Sequence, residues 1–257
     1  MLCWVSSMCC FSGKVESVAN TRIFAREVES GVQGLVYQMA LNTSQEVAMI
    51  LPIPIRNPAW EKAVKFINLE EYDDFFERLD SLYPVPRAQG PAPEYTLGTD
   101  SVIEVIKVGS YEASFVPTMD DFKRLDARFR IAPEAWAKLP QYQDFSFAVF
   151  KLKAGEQKVH PMAFIFESRL PGQLFFPTVH IHDGEVHAKE HFDHTLYAQG
   201  WLNGDFKEKG WMVSPEKAET KVDEKKAKGL VWGGGKVYRK NLQGMLENKD
   251  QVLFGKS

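Results

Sequence analysis

RIFAREVESGVQGLVYQMAL, residues 22–41, is the stretch on which the fold class turns. Two runs of β-branched and aromatic residues, Arg22 to Val28 and Gly34 to Leu41, flank the turn-like ESGVQ. That pattern reads as a pair of strands. Downstream, Val47 to Ile55 is a further apolar run in which Pro52 and Pro54 place the end at a sheet edge or in an extended exit. A helix follows: Asn68 suits the N-cap, Leu69, Tyr72, Phe75, Phe76, Leu79 and Leu82 recur at helical spacing, and Pro84 stops it.

Residues 84–98, PVPRAQGPAPEYTLG, hold four prolines and two glycines and read as a loop or an internal boundary. Val102 to Val108 and Tyr111 to Val116 are strand-like. Thr118 caps a helix carrying Phe122, Leu125 and Phe129, with Asp120 and Asp121 in its first turn. Pro133 suits the first turn of a short helix, APEAWAKL. From 145 the pattern returns to strands, at 145–152, 162–167, 174–182 and 185–191. Short loops join them, so consecutive antiparallel pairing is expected. Residues 215–228, PEKAETKVDEKKAK, are charged and poor in apolar side chains, which suits an exposed helix or a connector. LVWGGGKVY, 230–238, then reads as two short strands joined at glycines. This order favours an α+β fold, a mostly antiparallel sheet with a few amphipathic helices, over a regular βαβ winding. The expected organisation is one domain over 8–214, with a candidate boundary at 84–98, then a charged connector and C-terminal β-hairpin over 215–257.

At 257 residues and 44% hydrophobic content the chain can bury a sizeable core, built largely from rings since 18 residues are Phe. A net charge of −3 supplies no global basic field, so neither nucleic acid nor an acidic membrane is an expected partner. No run approaches the roughly 20 apolar residues that span a bilayer. The N-terminus has no cationic region before its apolar residues and reads as no secretory signal. Cys3, Cys9 and Cys10 are the only cysteines, which is no disulfide framework and fits a reducing cytoplasm.

All six histidines lie between His160 and His194. Within VHIHDGEVHA, Asp183-Gly184 is a two-residue hairpin signal. That register pairs His182 with Glu185, Ile181 with Val186 and His180 with His187. It puts His180, His182, Glu185 and His187 on one face, joined by His191 further along, and leaves Val179, Ile181, Val186 and Ala188 for the core. Imidazoles about 4.5–5.5 Å apart at Cβ can converge on one ion. His180, His182 and His187 would then hold a divalent transition metal, zinc favoured, with Glu185 as a fourth ligand or a general base. A metal-dependent hydrolase or oxygenase is the function this implies. The layout is similar to that of carbonic anhydrases and cupins, without the cupin spacing. A solvated polar sheet face is the plainer alternative, and His160 and His194 fit structural or surface roles better than ligation.

MCCFS at 8–12, TRIFAR at 21–26, VGSYEASFVPT at 108–118, YQDFSFAVFKL at 142–152 and FFPTVHIHDGEVH at 175–187 resemble an uncharacterised family of bacterial hypothetical proteins. The resemblance implies no activity and no site residues. If such proteins begin at the equivalent of Met8, residues 1–7 are an upstream extension. Initiation there would also expose Cys9 as an N-terminal nucleophile with its own amine as base, an amidohydrolase arrangement in which Arg22 or Arg26 would hold the anion. WGGGKV fails as a phosphate loop, because Leu230 and Val237 stand where Gly and Ser or Thr are needed. The remaining class is a non-catalytic interaction domain, with its partner, small molecule or protein, left open.

Overall fold

The structure, a computed structural model, describes residues 10–56, 63–84, 106–108, 111–181, 185–200 and 210–254. After a two-residue strand, β1 (Cys10–Phe11), the stretch at 22–41 forms the hairpin its pattern calls for. β2 (Ser17–Glu29) and β3 (Val32–Thr43) pair antiparallel, with Glu29 opposite Val32. Gly31 takes a φ of 74° in the turn, where a Cβ would be strained, and its N–H donates to Glu27 Oε1. β4 (Val47–Ile53) is buried at every position, which is why VAMILPI reads as a continuous apolar run rather than an alternating one. On β4, β1 pairs with Met49 and Ile50, so among the described residues Pro52 lies beyond that ladder.

Two sheets carry the molecule. The smaller has the order β1, β4, then β8 (Ser146–Leu152), β7 (Tyr111–Val116) and β6 (Ile106–Val108). The larger runs β13 (Met212–Lys217), β14 (Lys236–Glu247), β12 (Lys189–Gln199), β2, β3, β10 (Met162–Glu167) and β5 (Val64–Asn68). β9 (Gly155–Lys158) also lies against β3, and a separate ribbon pairs β11 (Gln173–Phe176) with β15 (Gln251–Phe254). The ladders are antiparallel apart from β12 with β2, which is parallel. The mostly antiparallel α+β reading therefore stands.

Alternation along the strands sorts side chains into three apolar layers. Ile23, Leu35 and Tyr37 of the larger sheet meet Met49, Leu51 and Phe150 of the smaller one between the sheets. Phe24, Val36 and Tyr197 point the other way, onto α1 (Phe75–Asp80) and the 218–231 segment. Ile50, Phe147 and Val149 face outward from the smaller sheet onto Phe122, Trp136 and Tyr142. The central strands of both sheets are thus covered on both faces, while β13 and much of β14 are exposed.

The expected helices are present but short. Asn68 Oδ1 accepts from Glu70 N–H at 2.8 Å, but Leu69 holds the N-cap position, and only a 3-10 turn at Glu70–Tyr72 and the single α-turn of α1 follow. Thr118 begins two 3-10 turns, Met119–Arg124 and Ala127–Phe129, rather than one helix. Its hydroxyl bonds Asp121 Oδ2 at 2.8 Å instead of a backbone donor. α2 (Pro133–Ala137) starts on its proline as expected.

Three expectations are corrected. Strands from 145 to 191 do not pair consecutively: β8 joins the smaller sheet, β10 the larger, β11 pairs with β15, and β12 lies between β14 and β2. The charged 215–228 stretch is no mere connector, because Ala218, Val222 and Ala227 are buried against the larger sheet. Its apolar residues are few but all point one way. LVWGGGKVY forms no hairpin of its own, since residues 230–235 are turn and Lys236 opens β14, which is built into the larger sheet. The boundary at 84–98 lies almost wholly outside the described residues. Among the described residues no helix is long and apolar enough to cross a membrane.

Candidate functional site

Pro177 ends β11, and the chain from Thr178 to Ile181 runs on without a regular ladder. Backbone groups buried there must still be paired, and side chains of a distant turn do it. Asp250 Oδ1 accepts from Thr178 N–H at 2.8 Å and Val179 N–H at 3.2 Å. Asn248 Oδ1 accepts from His180 N–H at 2.8 Å, and its Nδ2 donates to the carbonyls of His180 and His187, both at 3.0 Å. Thr178 Oγ1 donates to Lys249 O at 2.8 Å. On the other side Phe11 N–H donates to Ile181 O at 2.9 Å, and Cys10 Sγ lies 3.5 Å from Val179 O. The tip of the β14–β15 connection thus replaces the strand partner that the hairpin register assigned to 185–188.

The histidines of this region differ in burial. His180 is fully buried, its ring 4.3 Å from that of Phe192 and stacked 5.2 Å from that of His194. Glu185, His187 and His191 are exposed. Glu185 forms an ion pair with Lys138, and His191 sits on β12 opposite Met245. Among the described residues no ladder pairs 179–181 with 185–188: β12 starts only at Lys189, and Asn248 takes the carbonyls of His180 and His187. His182 and the Asp183-Gly184 turn lie outside the described residues. Among the described residues, no three His, Cys, Asp or Glu side chains gather as a metal-holding group. His160 is buried too, stacked on Tyr111 at 4.3 Å.

The polar groups buried here are shifted by burial. His194 is held neutral, its pKa lowered to about 3, and neither ring nitrogen has a hydrogen-bond partner. Asp250 as a residue is only half-buried, but its carboxyl turns inward. Desolvation raises it to about 6 despite the bonds from Tyr142, Thr178 and Val179. The Tyr142 hydroxyl donates to Asp250 Oδ2 at 2.6 Å, and burial, then the adjacent carboxyl, lifts its pKa well above the usual range. Asn248 and Asp250 were missed in the sequence because Asn and Asp near a turn signal the turn itself.

The cysteine reading finds little to gather around it. Cys9 lies outside the described residues, and Cys10 is buried. Arg22 is engaged with Gln38 and Glu77, and Arg26 donates to the carbonyls of Gly229 and Leu230. Both guanidiniums lie on the outer side of the larger sheet, away from β1.

A concavity lies elsewhere. A groove of about 1270 Å³ opens between the exit of β1 and the layer at 119–143. Its apolar lining includes Phe122, Ile131 and Trp136, and Lys14, Lys123 and Arg130 also border it. The Phe122 and Trp136 rings stack at 5.6 Å. The groove has no local sequence signal, because its lining comes from two segments about a hundred residues apart.

No family model matches the chain. Its fold is similar to that of baculovirus P35: the crystal structure of P35 aligns with a TM-score of 0.50 at 17% identity, covering 94% of this chain and 97% of that one. A mutated P35 after caspase cleavage aligns at 0.48 with 18% identity, over 93% and 98% of the two chains. P35 in its complex with caspase-8 aligns at 0.48 with 16% identity, over 92% and 96%. At these identities the likeness is one of architecture, extending over nearly the full length of both chains.

Proposed function

We propose that this chain is a non-catalytic protein-binding domain on a P35-like scaffold, and that a caspase is the partner class to try first. The observation that supports this is the shared architecture over 94% of this chain and 97% of P35. P35 itself is known in complex with caspase-8. The physical design agrees with a scaffold role. The central strands of both sheets are buried on both faces, which leaves binding to connecting segments and surface grooves. Mixing the purified full chain with active caspase-8 tests it. Co-elution in gel filtration, or progressive loss of peptidase activity, is the expected result. Unchanged activity and separate elution, with caspase-8 and with other caspases, would remove the caspase reading.

A further inference from the structure

We infer that the groove between the β1 exit and the 119–143 layer docks an extended peptide segment of a partner, one in which an aromatic or aliphatic side chain is flanked by acidic residues. This rests on the protein-binding reading above and names the surface and the chemistry it uses. Size argues first. About 1270 Å³ exceeds the cavity of a small-molecule site, which is roughly 300–1,000 Å³. A peptide running along the groove fits that volume better than a compact ligand.

The lining argues second. Phe122 and Trp136 stack on each other and pack on Phe147, 4.9 and 5.1 Å away, so the base is a fixed aromatic surface. Such surfaces are where interfaces anchor apolar side chains. The Trp136 indole N–H is buried and has no acceptor. A buried donor left unpaired costs about 1–3 kcal/mol. Ala127, Ala132 and Ala137 are exposed along the same groove, so small side chains leave room there.

Charge decides the occupant. Lys14, Lys123 and Arg130 border the groove against one carboxylate, Asp120. Lys14 and Lys123 are exposed, and neither forms an ion pair among the described residues. Arg130 directs its donors to the carbonyls of Lys123 and Leu125, and Asp126 is the carboxylate that acts on its charge. A basic border over an apolar base selects acidic residues beside an apolar anchor. The nine residues that precede Cys10, MLCWVSSMC, contain no acid and do not match that border.

The test pans a random dodecapeptide phage library on the immobilised full chain, on Lys14→Glu/Lys123→Glu and on Ala127→Trp. All three substitutions are at exposed positions, and an unchanged melting temperature checks that each variant folds. The expected result is enrichment of peptides with Asp or Glu beside an aromatic or aliphatic residue. The charge-reversed variant should lose that acidic bias, and Ala127→Trp should bind the selected peptides at least about tenfold more weakly. Peptides without acidic bias, no enrichment at all, or equal binding to all three proteins would overturn the inference. Equal binding overturns the groove alone and leaves the domain a peptide binder. Failure of caspase-8 to bind, measured separately, overturns the caspase reading and leaves a selective groove standing.

Discussion

His194 and Asp250 are shifted in opposite directions by the same cause, and their pH signatures oppose each other. His194 titrates near 6.5 when unfolded and at about 3 when folded. Between those values the unfolded chain binds the extra proton, so stability falls as pH drops from 6.5 toward 3. Asp250 titrates near 3.8 unfolded and at about 6 folded. There the folded chain binds the extra proton, so stability rises as pH drops from 6 to 3.8. Each slope is at most about 1.4 kcal/mol per pH unit, so the two largely cancel in that window. Asp250→Asn keeps the shape and the acceptor for Thr178 and Val179 but cannot ionise. It should be no less stable than the native chain at pH 7.5, and urea midpoints measured down to pH 4.5 should then fall with the His194 slope exposed. Parallel pH profiles for the two proteins would show that Asp250 does not titrate as described. The histidines allow a second comparison. His180→Ala empties a fully buried ring site and should cost about 2–4 kcal/mol, whereas His187→Ala, at the surface, should stay within about 0.5 kcal/mol. Urea curves with and without EDTA read this directly; equal losses in the two variants, abolished by EDTA, would instead indicate one shared metal site. The sequence showed that these histidines cluster. It could not show which are buried, because that depends on Asn248 and Asp250, some seventy residues away.

Among the elements, what was legible followed from periodicity. The β2–β3 hairpin and the apolar face of Leu69, Phe75, Phe76 and Leu79 came from spacing, and β4 from an unbroken apolar run. Partner choice did not, because alternation fixes which face a residue takes and not which strand lies beside it. VHIHDGEVH satisfies the hairpin pattern, yet its first half is held by the 248–250 turn and Lys189–Gln199 pairs with β14 and β2. The parallel β2–β12 contact, spanning most of the chain, leaves no local signal. The clamp itself can be tested. Asn248→Ala removes an acceptor and two donated bonds from the 180–187 region, a loss of about 1–3 kcal/mol if the freed groups stay buried. Amide exchange should quicken at His180 while the β2–β3 amides keep their protection. Unchanged exchange at His180 would show that another group holds this backbone.

For the whole molecule the question is whether the last forty residues are an appendage or part of the core. Charge density over 215–228 suggested an appendage, since Lys and Glu dominate the composition there. The packing argues the reverse. Val222, Leu230 and Val231 cover the outer face of the larger sheet, Val237 and Leu242 belong to β14 within it, and Leu253 reaches the layer between the sheets. A fully buried aliphatic side chain is worth about 1.5–3 kcal/mol, so these together amount to on the order of 10 kcal/mol, comparable with the whole stability of a domain. Removing β14 would also bare the long edge of β12 and release the Asn248 and Asp250 clamps. A chain cut to residues 8–214 is therefore expected to lack a cooperative unfolding transition in urea, while the full chain shows a single one. Circular dichroism and tryptophan fluorescence should give coincident curves for the full chain and a broad, featureless drift for the shortened one. A sharp transition in the 8–214 piece would mean that the larger sheet is complete without β14, and that the C-terminal strands are an addition to an already folded body.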